Sequence, residues 1–148
     1  MCMKRLTILL AVLFVFCVTT LASAQERSWT QGPVSVVTSV KVMPGQGENY
    51  INYLATTYKA NMEEQKKAGI ILSYRVYNAS ARSEDDADMY LVVTYPNMAS
   101  FDGLSEKTEP LSKKVTGLNR EQSAAAGAKR SSMRTILGNE MIREVVLK

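Results

Sequence analysis

VSVVTSVKVMPGQG, Val34 to Gly47, carries a strand, its end and the approach to a helix in one short run. Val34, Val36, Thr38, Val40 and Val42 alternate with Ser35, Val37, Ser39 and Lys41, which is the period-two pattern of a strand with one apolar and one mixed face. Met43-Pro44-Gly45-Gln46-Gly47 then ends it, because proline lacks a ladder donor and glycine admits a tight turn. Beyond Gly47 the period changes. At about 100° per residue, Tyr50, Ile51, Leu54, Ala55, Tyr58 and Met62 fall within one arc of about 140°, while Asn52, Thr56, Lys59, Glu63 and Lys67 point away. An amphipathic helix is expected, closing with Lys66 and Lys67 in its last turn and Gly69 as a left-handed terminator.

Working outward, Ile70–Tyr77 reads as a second strand and Met89–Tyr95 as a third, joined by a hairpin loop whose acidic run Glu84-Asp85-Asp86-Ala87-Asp88 is expected to be a solvated tip. Asn97 is placed to cap a short helix carrying Met98, Phe101 and Leu104. Asn119 and Gln122 have capping-box spacing at the head of a helix to Lys129. Residues 106–118, with Pro110 and Gly117, fit neither pattern cleanly. Residues 133–148 fit either one bulged strand or a terminal hairpin turning at Gly138-Asn139. The order is β-α-β-β-α-β: an α+β, ferredoxin-like fold with an antiparallel sheet carrying its helices on one face. The other face holds Val37, Ile71, Arg75, Tyr77, Tyr90 and Val92. It is too apolar to be left to water, so a second copy of the chain is expected to cover it.

Upstream, Lys4 and Arg5, the apolar run Leu6–Leu21 and the small-residue site Ala22-Ser23-Ala24 read as a secretory signal peptide, residues 1–24, cut after Ala24. Residues 25–33 are expected to be a flexible lead-in anchored by Trp29, and residues 34–148 a single domain. The expected destination is periplasmic or secreted, with membrane contact only through the uncleaved leader. Removing 24 of 148 residues takes both cysteines, Cys2 and Cys17, and lowers the formal charge from +4 to +2. A disulfide and nucleic-acid binding both lose their basis. The pairs Lys66-Lys67, Lys113-Lys114 and Lys129-Arg130 read instead as solvated helix ends.

The run Val40–Gly47 leading into Tyr50, followed by Lys67-Ala68-Gly69-Ile70-Ile71 leading into a strand, resembles the dimeric α+β barrel superfamily, which includes the antibiotic biosynthesis monooxygenases. The resemblance spans Val34 to Val146. It implies a homodimer with its two sheets face to face and a small-molecule pocket in each subunit between helices and sheet. Members that handle haem, or act like polyketide cyclases, depend on histidine, and this chain has none. Cofactor-free, quinone-forming oxygenases of the superfamily use asparagine, tryptophan, tyrosine and arginine, all present here.

The absence of histidine also removes serine triads and most metal chemistry, and no cofactor or metal site is expected. The acidic loop lacks the glycine and distal glutamate of a calcium loop, and Gly45-Gln46-Gly47 is only the first part of a phosphate-binding fingerprint. Two groupings remain. Asn61 and Gln65 fall on the buried side of the first helix, where an amide must be satisfied. Tyr50, Tyr58, Tyr74 and Tyr95 aim into the space between helices and sheet, and tyrosine can donate a hydrogen bond or stack on an aromatic ring. These six residues form the candidate pocket. The expected function is binding of a small aromatic or amphipathic molecule without transforming it. The alternatives are a cofactor-independent oxygenase acting on a phenol or quinol, oriented by Tyr58, Tyr74, Asn61 and Gln65, and a structural dimer with no pocket. A cavity of roughly 300 Å³ or more beside the first helix separates the pocket readings from the last.

Overall fold

The computed structural model describes residues 27–148, so the expected leader lies outside the described residues. These fall into two units, residues 27–30 with Leu147 and Lys148, and Gln31–Val146. In the smaller unit the Lys148 N–H donates to the Ser28 carbonyl at 2.9 Å. Among the described residues no helix is long and apolar enough to cross a membrane.

Strand β1 runs Trp29–Val42, five residues longer at its start than alternation alone indicates. Helix α1 follows in three parts, Gly47–Tyr53, a π-helical turn Leu54–Tyr58, and Lys59–Lys67. It stops as expected: Gly69 has φ +73°, a conformation open to glycine at little cost. The Gly69 and Ile70 N–H groups turn back to the carbonyls of Lys66 and Gln65. Strand β2 is Ser73–Asn78 and β3 is Met89–Tyr95. After a 3-10 turn at Met98–Phe101, α2 spans Leu104–Thr116 and α3 spans Arg120–Lys129. A second 3-10 turn, Arg130–Ser132, leads into β4, Arg134–Leu147.

The sheet order β2-β3-β1-β4, with β3 antiparallel to both β1 and β2, is that of a ferredoxin-like α+β fold. Register divides its faces. Val34 pairs with Tyr95 and Val40 with Met89 on the helix side; Val37 pairs with Val92 and Tyr77 with Tyr90 on the other. The core lies under the helices, where Val40, Tyr50, Leu54 and Met89 are buried and Tyr53, Tyr58, Leu91 and Met133 pack against them.

Several expectations change. Ile71 is not on the open face: β2 begins only at Ser73, and Ile71 is 2% exposed. Leu72 is exposed in its place. Its N–H meets the Thr94 carbonyl at 2.7 Å, so ladder bonding starts one residue beyond the buried isoleucine. Gly138-Asn139 is not a turn but lies within β4, a single strand. Residues 104–116 are helical despite Pro110, and α2 is held to α1 by the Lys114–Glu64 ion pair at 2.5 Å. Gly117, φ +71°, closes α2 by donating to the Lys113 carbonyl. Asn97 makes no side-chain cap, whereas Asn119 and Gln122 form both bonds of the expected capping box.

The acidic loop is more than a solvated tip. The Asp88 carboxylate accepts from the Val42 N–H at 2.8 Å and from Lys41 Nζ at 3.2 Å, and Asp86 accepts from the Arg82 and Ser83 N–H groups. The Val42 N–H first, and Lys41 after it, hold the Asp88 carboxyl below its ordinary range.

Candidate functional site

The π turn sets the site. The Lys59 N–H reaches back five residues to the Leu54 carbonyl, so one extra residue is taken up in that turn. On an unbroken α-helix Tyr53 and Gln65 would stand about 120° apart. The extra residue turns the second half back by about 100°, which brings Tyr53, Tyr58, Asn61 and Gln65 to one side. The same rotation carries Ile51 and Ala55 out of the expected buried arc, and both are exposed.

That side of α1 faces α2 and α3 across a cleft of about 670 Å³. From α1 it is lined by Tyr53, Thr57, Tyr58, Asn61, Met62 and Gln65. Thr108, Ser112, Val115 and Thr116 contribute from α2, Leu118 from the connection, Ser123 and Ala126 from α3, and Arg130 from the turn that follows. A smaller hollow of about 190 Å³ shares Thr108, Ser112, Leu118 and Ser123 with it and adds Ser105, Glu109 and Arg120.

Of the six tyrosine and amide candidates, three line the cleft: Tyr58, Asn61 and Gln65. Tyr58 is wedged edge-on against Tyr74, with ring centres 6.1 Å apart, and its hydroxyl is buried with no hydrogen-bond partner. Burial raises the Tyr58 pKa far above the usual tyrosine value, so the group is a neutral donor across ordinary pH. Asn61 gives one amide N–H to the Thr57 carbonyl at 2.9 Å and keeps its second N–H and its oxygen.

The other three stand elsewhere. Tyr50 is 1% exposed in the core, stacked on Tyr53 at 6.1 Å. Its pKa is raised chiefly by burial; Arg134 lies over the ring at 5.9 Å and its charge opposes the rise, but the hydroxyl has no hydrogen-bond partner. Tyr74 donates to Glu63 Oε1 at 2.5 Å, a bond to the neutral phenol that pushes its pKa up to about 12. Tyr95 is buried against Phe101, ring centres 4.6 Å apart, and burial raises its pKa too.

Sequence reasoning missed Tyr53, because an ideal helix turns it away, and missed the whole α2–α3 wall. One signal for that wall exists in hindsight: Ser105, Thr108, Ser112 and Thr116 recur at helical spacing across the segment that fitted neither pattern. Arg130 is not the solvated helix end expected of Lys129-Arg130. It is half-buried, with its guanidinium 4.9 Å over the Tyr53 ring.

Chemically, the cleft offers an aromatic wall, hydroxyls, amides and one cation. Among the described residues no carboxylate lines it. It is equipped to bind and to donate hydrogen bonds, and it holds no group that is a base at neutral pH.

No family model and no curated protein sequence matches the chain. Among solved structures it is similar to the crystal structure of HapK from Hahella chejuensis, with a TM-score of 0.52 at 12% identity, covering 75% of this chain and 91% of that one. At that identity the likeness is one of fold.

Proposed function

We propose that the chain is an exported small-molecule-binding protein of the dimeric α+β barrel type, with the cleft between α1, α2 and α3 as its ligand site. The observation that carries this reading is the lining: a cleft of about 670 Å³, with two tyrosines for a planar ring and a set of hydroxyls and amides to orient it. Binding is better supported than oxygenase chemistry. Tyr74, one of the residues such chemistry would call on, is outside the lining and tied to Glu63, and Tyr58 and Arg130 can donate protons in hydrogen bonds but not abstract them. The test is calorimetry of the purified protein with neutral planar aromatics such as 2-naphthamide. Saturable binding that Ala126→Trp abolishes by filling the cleft supports the reading; no binding of the set, or binding untouched by that substitution, refutes it.

The homodimer belongs to the same proposal. On the open side of the sheet Tyr77 and Tyr90 are exposed and flank the half-buried pair Val37 and Val92, with Arg75 opposite Val92. Along β4, Ile136, Leu137, Met141, Ile142, Val145 and Val146 are exposed as well, and those of them that share the open side extend the patch. A second copy is the simplest cover for so much apolar surface. Sedimentation at micromolar concentration should give twice the chain mass, and Val37→Lys should return it to one. A monomeric parent protein would end this part of the proposal.

A further inference from the structure

Among the described residues, Arg130 is the one formally charged side chain lining the cleft. Among the described residues it makes no ion pair; those formed there join Asp88 to Lys41, Asp86 to Arg82 and Glu64 to Lys114. Its Nε is buried without a hydrogen-bond acceptor. A half-buried guanidinium in that condition carries an unmet desolvation cost, which an anion entering the cleft would relieve. The side chain is also held ready, because its stacking on Tyr53 orients the planar fork before any ligand arrives.

The neighbouring polar groups narrow the class of anion. The Thr108 and Thr116 hydroxyls donate to the Leu104 and Ser112 carbonyls, so these hydrogens are already used, while the Asn61 amide gives one of its two N–H groups to Thr57 and keeps the other. Ser112, Ser123 and Gln65 have no side-chain bonds among the described residues and remain as neutral donors beside one cation. A single positive charge suits a monoanion better than a phosphate ester, which carries close to two negative charges at neutral pH. The aromatic wall of Tyr53 and Tyr58 suits a flat body.

We infer that the ligand is a planar aromatic monoanion, of the carboxylate class, whose charged group is received by the Arg130 guanidinium. This deepens the binding reading above and rests on it. The test compares 2-naphthoate with its neutral isostere 2-naphthamide by calorimetry at low ionic strength. The parent protein should bind the carboxylate at least about tenfold more tightly, the range of a charge-assisted hydrogen bond. Arg130→Gln should erase that preference while leaving 2-naphthamide binding in place, which also shows that the variant is folded. Lys129→Gln makes the same change in net charge one residue away and should leave the preference intact. Equal affinity for the two compounds, or a preference that survives Arg130→Gln, overturns the inference and leaves the cleft reading standing. Failure of both compounds to bind sinks the cleft reading, and the inference with it.

Discussion

Tyr58→Phe should stabilise the protein, although it removes a polar group from the most sharply defined part of the site. The Tyr58 hydroxyl is buried and has no hydrogen-bond partner among the described residues. Leaving such a group unmet costs about 1–3 kcal/mol relative to its hydrated state in the unfolded chain. Phenylalanine keeps the ring and its edge-on contact with Tyr74 and omits the oxygen. The void left behind forfeits a few dispersion contacts of about 0.1–0.2 kcal/mol each, so the net gain is about 1 kcal/mol. For a chain of this size that raises Tm by about 3–5 °C. Thermal and urea unfolding followed by circular dichroism at neutral pH would measure it. A fall in Tm, or a loss of 1 kcal/mol or more, would mean that the hydroxyl has a partner, and the argument from an unmet donor would fail.

Alkaline titration tests the same burial from another side. Tyr50, Tyr58 and Tyr95 all have pKa values raised chiefly by burial, so the unfolded chain loses these protons first. Their contribution to stability is intact below the unfolded tyrosine value of about 10 and declines as pH climbs above it. Tyrosinate absorbance should therefore appear late and together with unfolding; early, independent ionisation of all the tyrosines would contradict it. Asp88→Asn should cost about 1 kcal/mol after allowance for solvent screening, seen as a lower urea midpoint. The Asp88 contribution is present above the unfolded aspartate pKa of about 3.9 and disappears as pH falls through the lower folded value. Gly69→Ala should cost about 1–2 kcal/mol purely through its backbone, because nothing within 4 Å would meet the added methyl group. Ile71→Ala should cost about 2–4 kcal/mol in the same assay; a surface-like loss below 0.5 kcal/mol would mean that the side chain is not buried.

Local pattern determined most of the fold. Alternation in Val34–Val42 and Met89–Tyr95, the helix stop at Gly69 and the Asn119–Gln122 capping box each depend on a few neighbouring residues, so the sequence displays them directly. What needed tertiary structure was everything set by a partner distant in the chain. The helix of α2 forms around Pro110 where it lies against α1; Ile71 is buried because ladder pairing starts beyond it; and Asp88, in the loop before β3, is fastened by Val42 and Lys41 of β1. The site shows the division most clearly. Tyr58, Asn61 and Gln65 are legible from helical spacing, but a single extra residue in the turn Leu54–Tyr58 rotates Tyr53 into line with them. Arg130 joins them only because α3 brings its end against that turned face, and a periodicity read along one segment carries no record of which other segment will face it.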